Sequence, residues 1–442
     1  MLNLFRSKAD QATTASKPGI FAALDIGASK VVCFIAKVEQ TLTGPRPRII
    51  GVGHQSSRGI RSGAVVDMEA AEKSIRAAVQ QAERMAGHAV TAVTLVTAAG
   101  GPSSTRLSVE ANLSNREVTD RDLRRALDAG LGEFHTPDRV MLHAIPLSWR
   151  VDDHRGVKDP RGMFGRSLGV ELHFVSANID PLRNLATCVE RCQLSIVGMV
   201  AAPYASGLST LTDDERELGA LVIDMGATMT TAAVFAEGSL LHVDGAPVGG
   251  AHVTSDIARG LSTPMSAAER IKALYGSALD SPDDDQVMIE IPPMGNDPQS
   301  MMGSAPRAML NAIIRPRLEE IFELMRDRLA AAGVDKASGR TLVLTGGAAQ
   351  LPGTAQLAGR VLGKQVRLGR PQHVNGLGDA VSGPGFSACA GVVVRRTRGA
   401  AEAIAGPPRI NASGGSGRAN VKKKQRGDKS QRSMLSWFAE SF

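Results

Sequence analysis

FAALDIGASKVVCFIAKV at residues 21–38 and ALVIDMGATMTTAAVFAEG at residues 220–238 are two versions of one pattern. Each reads as an apolar strand, a tight turn of Asp, Gly and Ser or Thr, and a second apolar strand. Asp25, Gly27 and Ser29 answer Asp224, Gly226 and Thr228. Apolar runs on both sides of a short turn predict hairpins rather than loops that lead into helices. A whole strand-turn-strand unit that recurs in one chain predicts two similar halves.

Outward from these hairpins, residues 67–85 place apolar side chains at helical spacing with charges opposite, and residues 181–192 open a further helix with Asp180 as its cap. Strands that alternate with helices indicate an α/β chain. Residues 87–166 hold a strand-like TAVTLVTA, a polar helix at 119–129 and a strand at 139–150, enough for an inserted subdomain. TLVLTGGAAQLPG at residues 341–353 runs from a strand into Gly346 and Gly347 and then into a helix. Past Arg398 the chain turns to Ala, Gly, Pro, Ser and Lys without periodicity until Ser433, the composition of a disordered linker.

The chain has 442 residues, 43% of them apolar, and 47 glycines, which excludes a single small binding module and predicts more than one lobe. The formal charge of +7 is concentrated beyond Ala403. There, eight Lys or Arg face only Asp428 and Glu440, so that segment carries +6 of the total. The body is close to neutral and offers no basic groove for nucleic acid, while the tail needs an anionic partner. The four cysteines form no CxxC pair, and Cys188 and Cys192 read as small core-facing residues of a helix rather than metal ligands. The opening segment MLNLFRSKAD is too short in apolar residues for a signal peptide, and no run approaches the roughly 18 apolar residues of a spanning helix. A reducing cytoplasmic setting with peripheral membrane contact is expected.

A hairpin turn aims several backbone N–H groups at a phosphate when small residues let the backbone approach, and a nearby carboxylate holds Mg²⁺ through its waters. Two such turns face to face grip a triphosphate from both sides. Gly346 and Gly347 then let backbone pack against purine and ribose, at a helix start that favours phosphate oxygens. One DxG alone is weak evidence, because such tripeptides close ordinary hairpins. Three signals in the order hairpin, hairpin, TGG are stronger.

That order, carried by LDIGASKV, VIDMGATMTT and LTGGAAQLPG, resembles the actin, heat-shock chaperone and sugar-kinase superfamily, whose two related lobes enclose ATP and Mg²⁺. The segments at residues 51–70, 143–165, 211–226, 249–272 and 313–325 narrow the resemblance to the bacterial cell-division FtsA family, over about residues 18–397 and again at the extreme C-terminus. The resemblance implies that Asp25, Gly27, Ser29 and Lys30 form a first phosphate loop, Asp224, Gly226 and Thr230 a second, and Gly346, Gly347 and Ala348 the adenosine contact. Asp25 and Asp224 would hold Mg²⁺ through water. Gly249, Gly250, Glu269 and Lys272 would complete the pocket, although on spacing alone Glu269 and Lys272 equally describe a solvated helical pair. The family's second loop commonly has three glycines where this chain has Gly226, Ala227 and Thr228, so the resemblance implies ATP binding with weak or no hydrolysis. No residue is identified as the base that activates water.

Arg317 and Glu320 follow Pro316 on an amphipathic segment, which the resemblance places where the C-terminal tail of the tubulin-like FtsZ docks; on spacing alone they read as a charged outer face. At the end of the chain, Leu435, Phe438 and Phe442 share one helical face with Met434 and Trp437 beside it, a reversible membrane anchor that forms on contact with anionic lipid. A tail that docks back on the body or on a protein partner is the alternative.

The resulting expectation is an actin-like α/β fold of two lobes. The first-lobe core falls at 18–86, 167–203 and 369–398, with the insert at 87–166. The second-lobe core falls at 204–248 and 331–368, with a small subdomain at 249–330. A flexible 1–17, a basic linker at 399–431 and an amphipathic helix at 432–442 complete the chain. The implied function is to tether FtsZ filaments to the cytoplasmic face of the bacterial inner membrane at the division septum, to self-assemble and to recruit later division proteins. Rival readings are a cell-shape filament of the MreB type, a pilus-assembly relative, a sugar-kinase-type phosphotransferase and a chaperone ATPase. For the last, too few residues follow the folded part to make a peptide-binding domain.

Overall fold

The computed structural model describes residues 19–41, 44–294, 302–398 and Glu402. The first lobe opens with β1 (Ile20–Ile26), β2 (Lys30–Thr41) and β3 (Gly44–Ser56), then the short β4 (Ile60–Arg61) and β5 (Ala64–Val65), helix α1 (Met68–Ala86) and β6 (Ala92–Thr97). Asp67 caps α1 by accepting from the Ala70 N–H, and Gly87 ends it in the left-handed conformation. Its buried face, Ala71, Ile75, Ala78, Val79 and Ala82, lies so close to β3 that a Cβ on Gly53 would meet the Ala78 carbonyl at 1.7 Å.

There follow β7 (Ser103–Glu117), α2 (Asp120–Glu133), β8 (Arg139–Val151), β9 (His154–Val157) and β10 (Phe164–Asn178), which form a separate antiparallel sheet in the order β7-β10-β8-β9. Leu123, Ala126 and Leu127 of α2 pack on Leu168, Val170, Leu172 and Phe174 of β10 in a core of their own. The inserted unit is therefore shifted from the expected 87–166. TAVTLVTA belongs to the first-lobe sheet as β6, while the long strand up to Asn178 belongs to the insert. A period-2 pattern fixes a strand but not the sheet it joins. Helix α3 (Ile179–Arg191) also departs from expectation, since its cap is Asn178 and Asp180 lies in the first turn.

After β11 (Ser195–Ala201), α4 (Ala202–Thr210) and α5 (Asp213–Leu218), the second lobe repeats the first as β12 (Ala220–Met225), β13 (Thr230–Ala236) and β14 (Ser239–Ala246). Helices α6 (Gly250–Gly260) and α7 (Met265–Tyr275), β15 (Met288–Ile291), β16 (Gly303–Pro306) and α8 (Arg307–Ala331) precede β17 (Thr341–Thr345), α9 (Thr354–Leu362), β18 (Gln365–Leu368) and α10 (Ser387–Arg398). The two main sheets, β3-β2-β1-β6-β11 and β14-β13-β12-β17-β18, have the same topology: two antiparallel pairings followed by two parallel ones. The internal repeat read from the sequence is a structural repeat.

Helix α4 is buried along its whole length, and α10 crosses it so closely that a Cβ on Gly391 would meet the Ala205 carbonyl at 1.7 Å. At the far end of α10, the buried Glu402 carboxylate accepts from Arg395 Nε at 2.9 Å and from the Tyr204 hydroxyl at 3.3 Å. His143 Nε2 accepts the Ala201 N–H at 3.0 Å, which leaves Nδ1–H to donate to Glu402 at 3.1 Å. Burial alone would raise the Glu402 pKa, but Arg395 and His143 outweigh it and hold it down to about 2. No described helix is long and apolar enough to cross a membrane. The basic linker and the anchor residues Met434, Leu435, Trp437, Phe438 and Phe442 lie outside the described residues.

Candidate functional site

Asp25 and Asp224 occupy the same place in the two sheets. Each stands at the carboxyl end of a strand that has an antiparallel partner on one side and a parallel one on the other: Val32 and Val96 beside Asp25, Thr231 and Thr345 beside Asp224. Carboxyl ends at such a change of direction are where α/β sheets leave room for ligands. The two turns close alike, Gly27 N–H to Lys30 O at 3.0 Å and Gly226 N–H to Met229 O at 2.8 Å. They face one cleft of about 740 Å³, lined also by Ser29, Lys30, Ala227, Thr228, Gly250, Glu269, Lys272, Gly346, Gly347 and Ala348.

The electrostatics of the cleft follow from two carboxylates drawn partly out of water together. Burial, and then the Asp224 charge, raise Asp25 to about 7 against the pull of Lys30. Asp224 is also raised by burial, opposed by the Ser206 hydroxyl, which donates to Oδ2, and by Lys30. Burial lowers Lys30, which both acids counteract, and its ammonium rests 4.0 Å from the centroid of the Phe386 ring. Paired acids in such a setting are relieved by a cation. Among the described residues, no three His, Cys, Asp or Glu gather as an all-protein metal site. Two carboxylates that leave the remaining positions to water and phosphate oxygens suit Mg²⁺.

On the opposite wall, Lys272 Nζ donates to Glu269 at 2.7 Å, to Thr254 Oγ1 at 2.8 Å and to the Gly250 carbonyl at 3.1 Å. The pair borders the cleft instead of an outer face. Gly347 is informative in another way. Its backbone is ordinary right-handed helical, and a Cβ there would meet nothing within 4 Å, so packing does not require glycine. The bare backbone keeps cleft space open, which fits a ligand rather than a fold constraint. Gly346, by contrast, is demanded by a φ of +90° and by Asp224 Oδ1, which a Cβ would meet at 2.5 Å.

Three sequence expectations change. Thr230, the first residue of β13, is fully buried and spends its hydroxyl on the Val248 carbonyl at 2.8 Å; the cleft is lined instead by Thr228 of the turn and by Thr231, which strand alternation puts on the face opposite Thr230. Gly249 is not on the cleft wall but packs behind the second turn, where a Cβ would meet the Gly226 carbonyl at 2.4 Å. Gly346 and Gly347 lead into a single 3-10 turn, Ala348–Gln350, and the α-helix starts only at Thr354, so no helix terminus serves the site there. Sequence reasoning missed Ser206, which the buried α4 sets behind Asp224, and Arg61, which the short β4 hairpin brings to the cleft wall. Neither carries a spacing signal.

Away from the cleft, Arg317 is not an open cation. Its guanidinium bonds Asp256 of α6, with Nε to Oδ2 at 2.6 Å, and also Glu320, and the side chain is 28% exposed. Carboxylates on two sides match the donor fork and draw the side chain down. Glu320 stays 63% exposed, and Arg315 is tied likewise to Asp280 and Glu319.

Residues 221–391 match the family model for cell division protein FtsA, and residues 100–176 match that for the SHS2 domain inserted in FtsA. The FtsA of Rhizobium meliloti (strain 1021) is 44% identical over 382 residues, 85% of this chain and 86% of that protein. The chain belongs to the FtsA family of cell division proteins. The FtsA of Escherichia coli (strain K12) is 34% identical over 377 residues, 84% of this chain and 88% of that protein. Among solved structures, a chain of the PilM-PilN type IV pilus biogenesis complex aligns with TM-score 0.59 at 18% identity, over 85% of this chain and 98% of that one, which shows a shared fold. The architecture is the two-lobed actin-like α/β fold, and the FtsA insert model coincides with β7 to β10.

Proposed function

We propose that this FtsA-family protein binds ATP with Mg²⁺ between its lobes and, in the bound state, assembles with itself and tethers FtsZ to the cytoplasmic face of the bacterial inner membrane at the septum. The observation that carries the reading is the pairing of Asp25 and Asp224 across one glycine-lined cleft, with raised pKa values that a bound cation would relieve. Mg²⁺ supplies charge neutralisation of the phosphates. Asp25 and Asp224 hold its waters, and the backbone of Gly27, Ser29 and Gly226 together with Lys30 receives phosphate oxygens. Glu269, Lys272, Gly250 and Gly346 to Ala348 border the nucleoside. The side chains of Ala227 and Thr228 narrow the phosphate end, and no carboxylate beyond the two acids stands among the first-lobe residues lining the cleft, which favours a switch over a fast hydrolase. Nucleotide that binds one lobe orientation better shifts the population toward it and so toward assembly.

The α6–α8 surface around Asp256, Arg317 and Glu320 presents mixed charge to the FtsZ tail. The apolar C-terminal residues and the basic linker supply membrane attachment, and the insert serves self-association and later division proteins. Flotation with anionic liposomes, ATP and labelled FtsZ tests the whole chain of events. FtsZ floats with the full-length protein and stays down with a chain that ends at Gln431. FtsZ that stays down with both, while both bind ATP, contradicts the tethering role.

A further inference from the structure

Between β3 and α1 the chain makes a small hairpin, β4 and β5, turned through Ser62 and Gly63 with φ of 47° and 74°. Its base is pinned to the start of α1, since the Gly59 carbonyl accepts the N–H of Val66 at 2.8 Å and of Asp67 at 3.2 Å. Its tip crosses the cleft: the Ser62 N–H donates to Thr228 Oγ1 of the second lobe at 3.1 Å. A glycine at 228 could not make this bond. The hairpin thus has a fixed position at the phosphate-facing loop of the second lobe.

Arg61 sits on this hairpin, exposed and on the cleft wall. The cleft-lining cations are Lys30, Arg61 and Lys272. Among the described residues the Arg61 guanidinium has no hydrogen bond, ion pair or ring contact, whereas Lys30 is engaged by the field of the two acids and by the Phe386 ring, and Lys272 by its hydrogen bonds to Glu269, Thr254 and Gly250. A guanidinium offers a planar fork of donors that matches phosphate oxygens two at a time. The hairpin that carries it is held at both ends, so its backbone is already in place when ligand binds.

We infer that Arg61 is a ligand for the terminal phosphate of the bound nucleotide, positioned by the bond between Ser62 and Thr228, and that it sets a preference for triphosphate over diphosphate. This rests on the reading of the cleft as a nucleotide site. The tip of the hairpin touches the second of the two hairpin turns; in that reading Lys272, Glu269 and Gly346 to Ala348 border the nucleoside, so the guanidinium serves the far end of the phosphate chain.

The test is equilibrium binding and dissociation kinetics of ribose-labelled fluorescent ATP and ADP with Mg²⁺, using full-length wild type, Arg61→Ala, Arg61→Lys and Thr228→Val. Arg61→Ala weakens ATP about ten- to a hundredfold, the worth of a charge-assisted hydrogen bond, and ADP less than about threefold. Arg61→Lys recovers part of the loss. Thr228→Val, which keeps the shape and removes the acceptor, raises the ATP dissociation rate several-fold, and nucleotide-free melting of Arg61→Ala matches wild type because the residue is exposed. Wild-type discrimination retained by Arg61→Ala overturns the inference and leaves the cleft reading intact. A wild-type protein that binds neither nucleotide overturns both.

Discussion

The two hairpins that make the cleft are alike in strand register and turn closure but differ in what braces their acids. Asp224 is held on one side by the Ser206 hydroxyl and faced on the other by Gly346, which leaves its carboxylate little room to turn. Among the described residues Asp25 has no such brace; its environment is set by burial, by Asp224 and by Lys30. One copy of the unit has a fixed carboxylate and the other a titrating one poised near neutrality. A divalent cation would find its orientation fixed by the second lobe and its charge balance completed by the first. Ties between the halves also differ, since Thr228 of the second turn accepts from Ser62 across the cleft and, among the described residues, no side chain of the first turn makes the matching bond.

The largest effect belongs to what both hairpins share. Gly347→Leu places a side chain in the common space and weakens nucleotide binding by about a hundredfold or more, while melting of the nucleotide-free protein stays near wild type, because a Cβ there meets no atom. Equilibrium dialysis and thermal melting read the two halves of this prediction.

The acids themselves come next. Asp25 carries a proton more readily in the folded protein than in the unfolded chain, its pKa moving from 3.8 to about 7. Folded protein therefore binds more protons between these values, and stability falls as pH rises through them. Asp25→Asn removes that cost, so nucleotide-free protein gains roughly 2–4 kcal/mol near pH 8 and nothing below about pH 4. Chemical denaturation across pH measures it. Asp224→Asn gains less, because Ser206 already offsets part of the burial.

Ser206→Ala sharpens the contrast. Without its donor the Asp224 carboxylate is harder to ionise, which costs about 1 kcal/mol of Mg²⁺-dependent nucleotide affinity and, by weakening the Asp224 charge that holds Asp25 up, moves the Asp25 titration downward. Calorimetric titration with and without Mg²⁺ separates the two. The smallest effect is expected from Phe386→Leu, which takes the ring from beneath the Lys30 ammonium and costs about 0.5–1 kcal/mol of nucleotide affinity by the same titration.

Much of this was legible in the sequence because the repeat itself is local. Strand, turn and strand span 22 residues in the first copy and 17 in the second, so the stretches around Asp25, Gly27, Asp224 and Gly226 declare the hairpins that they form. The helix over 67–85 was equally plain from its apolar spacing, and the structure runs it over Met68–Ala86, with Asp67 as its cap and Gly87 as its end. Features that depend on tertiary placement were not legible. TAVTLVTA reads as a strand wherever it sits, and only the parallel pairing of Val96 with Asp25 assigns it to the first lobe. Ser206 is one of several small residues on a buried helix, and Arg61 one of many arginines, until folding sets them against Asp224 and the cleft. The family resemblance points to Thr230, whereas the pleat turns that residue into the core and its neighbour Thr231 toward the cleft, beside Thr228 of the turn. Arg317 shows the same limit, since its partner Asp256 lies on another helix.

The central claim is that both hairpins hold one Mg²⁺–nucleotide complex. The direct test is the Mg²⁺ dependence of ATP affinity, by calorimetry, in wild type, Asp25→Asn, Asp224→Asn and the double variant. If both acids serve one ion, Mg²⁺ strengthens wild-type binding about tenfold or more, each single substitution removes most of that gain, and the double variant loses little beyond either single one. Additive losses, or a Mg²⁺ dependence that survives removal of both carboxylates, would contradict the account.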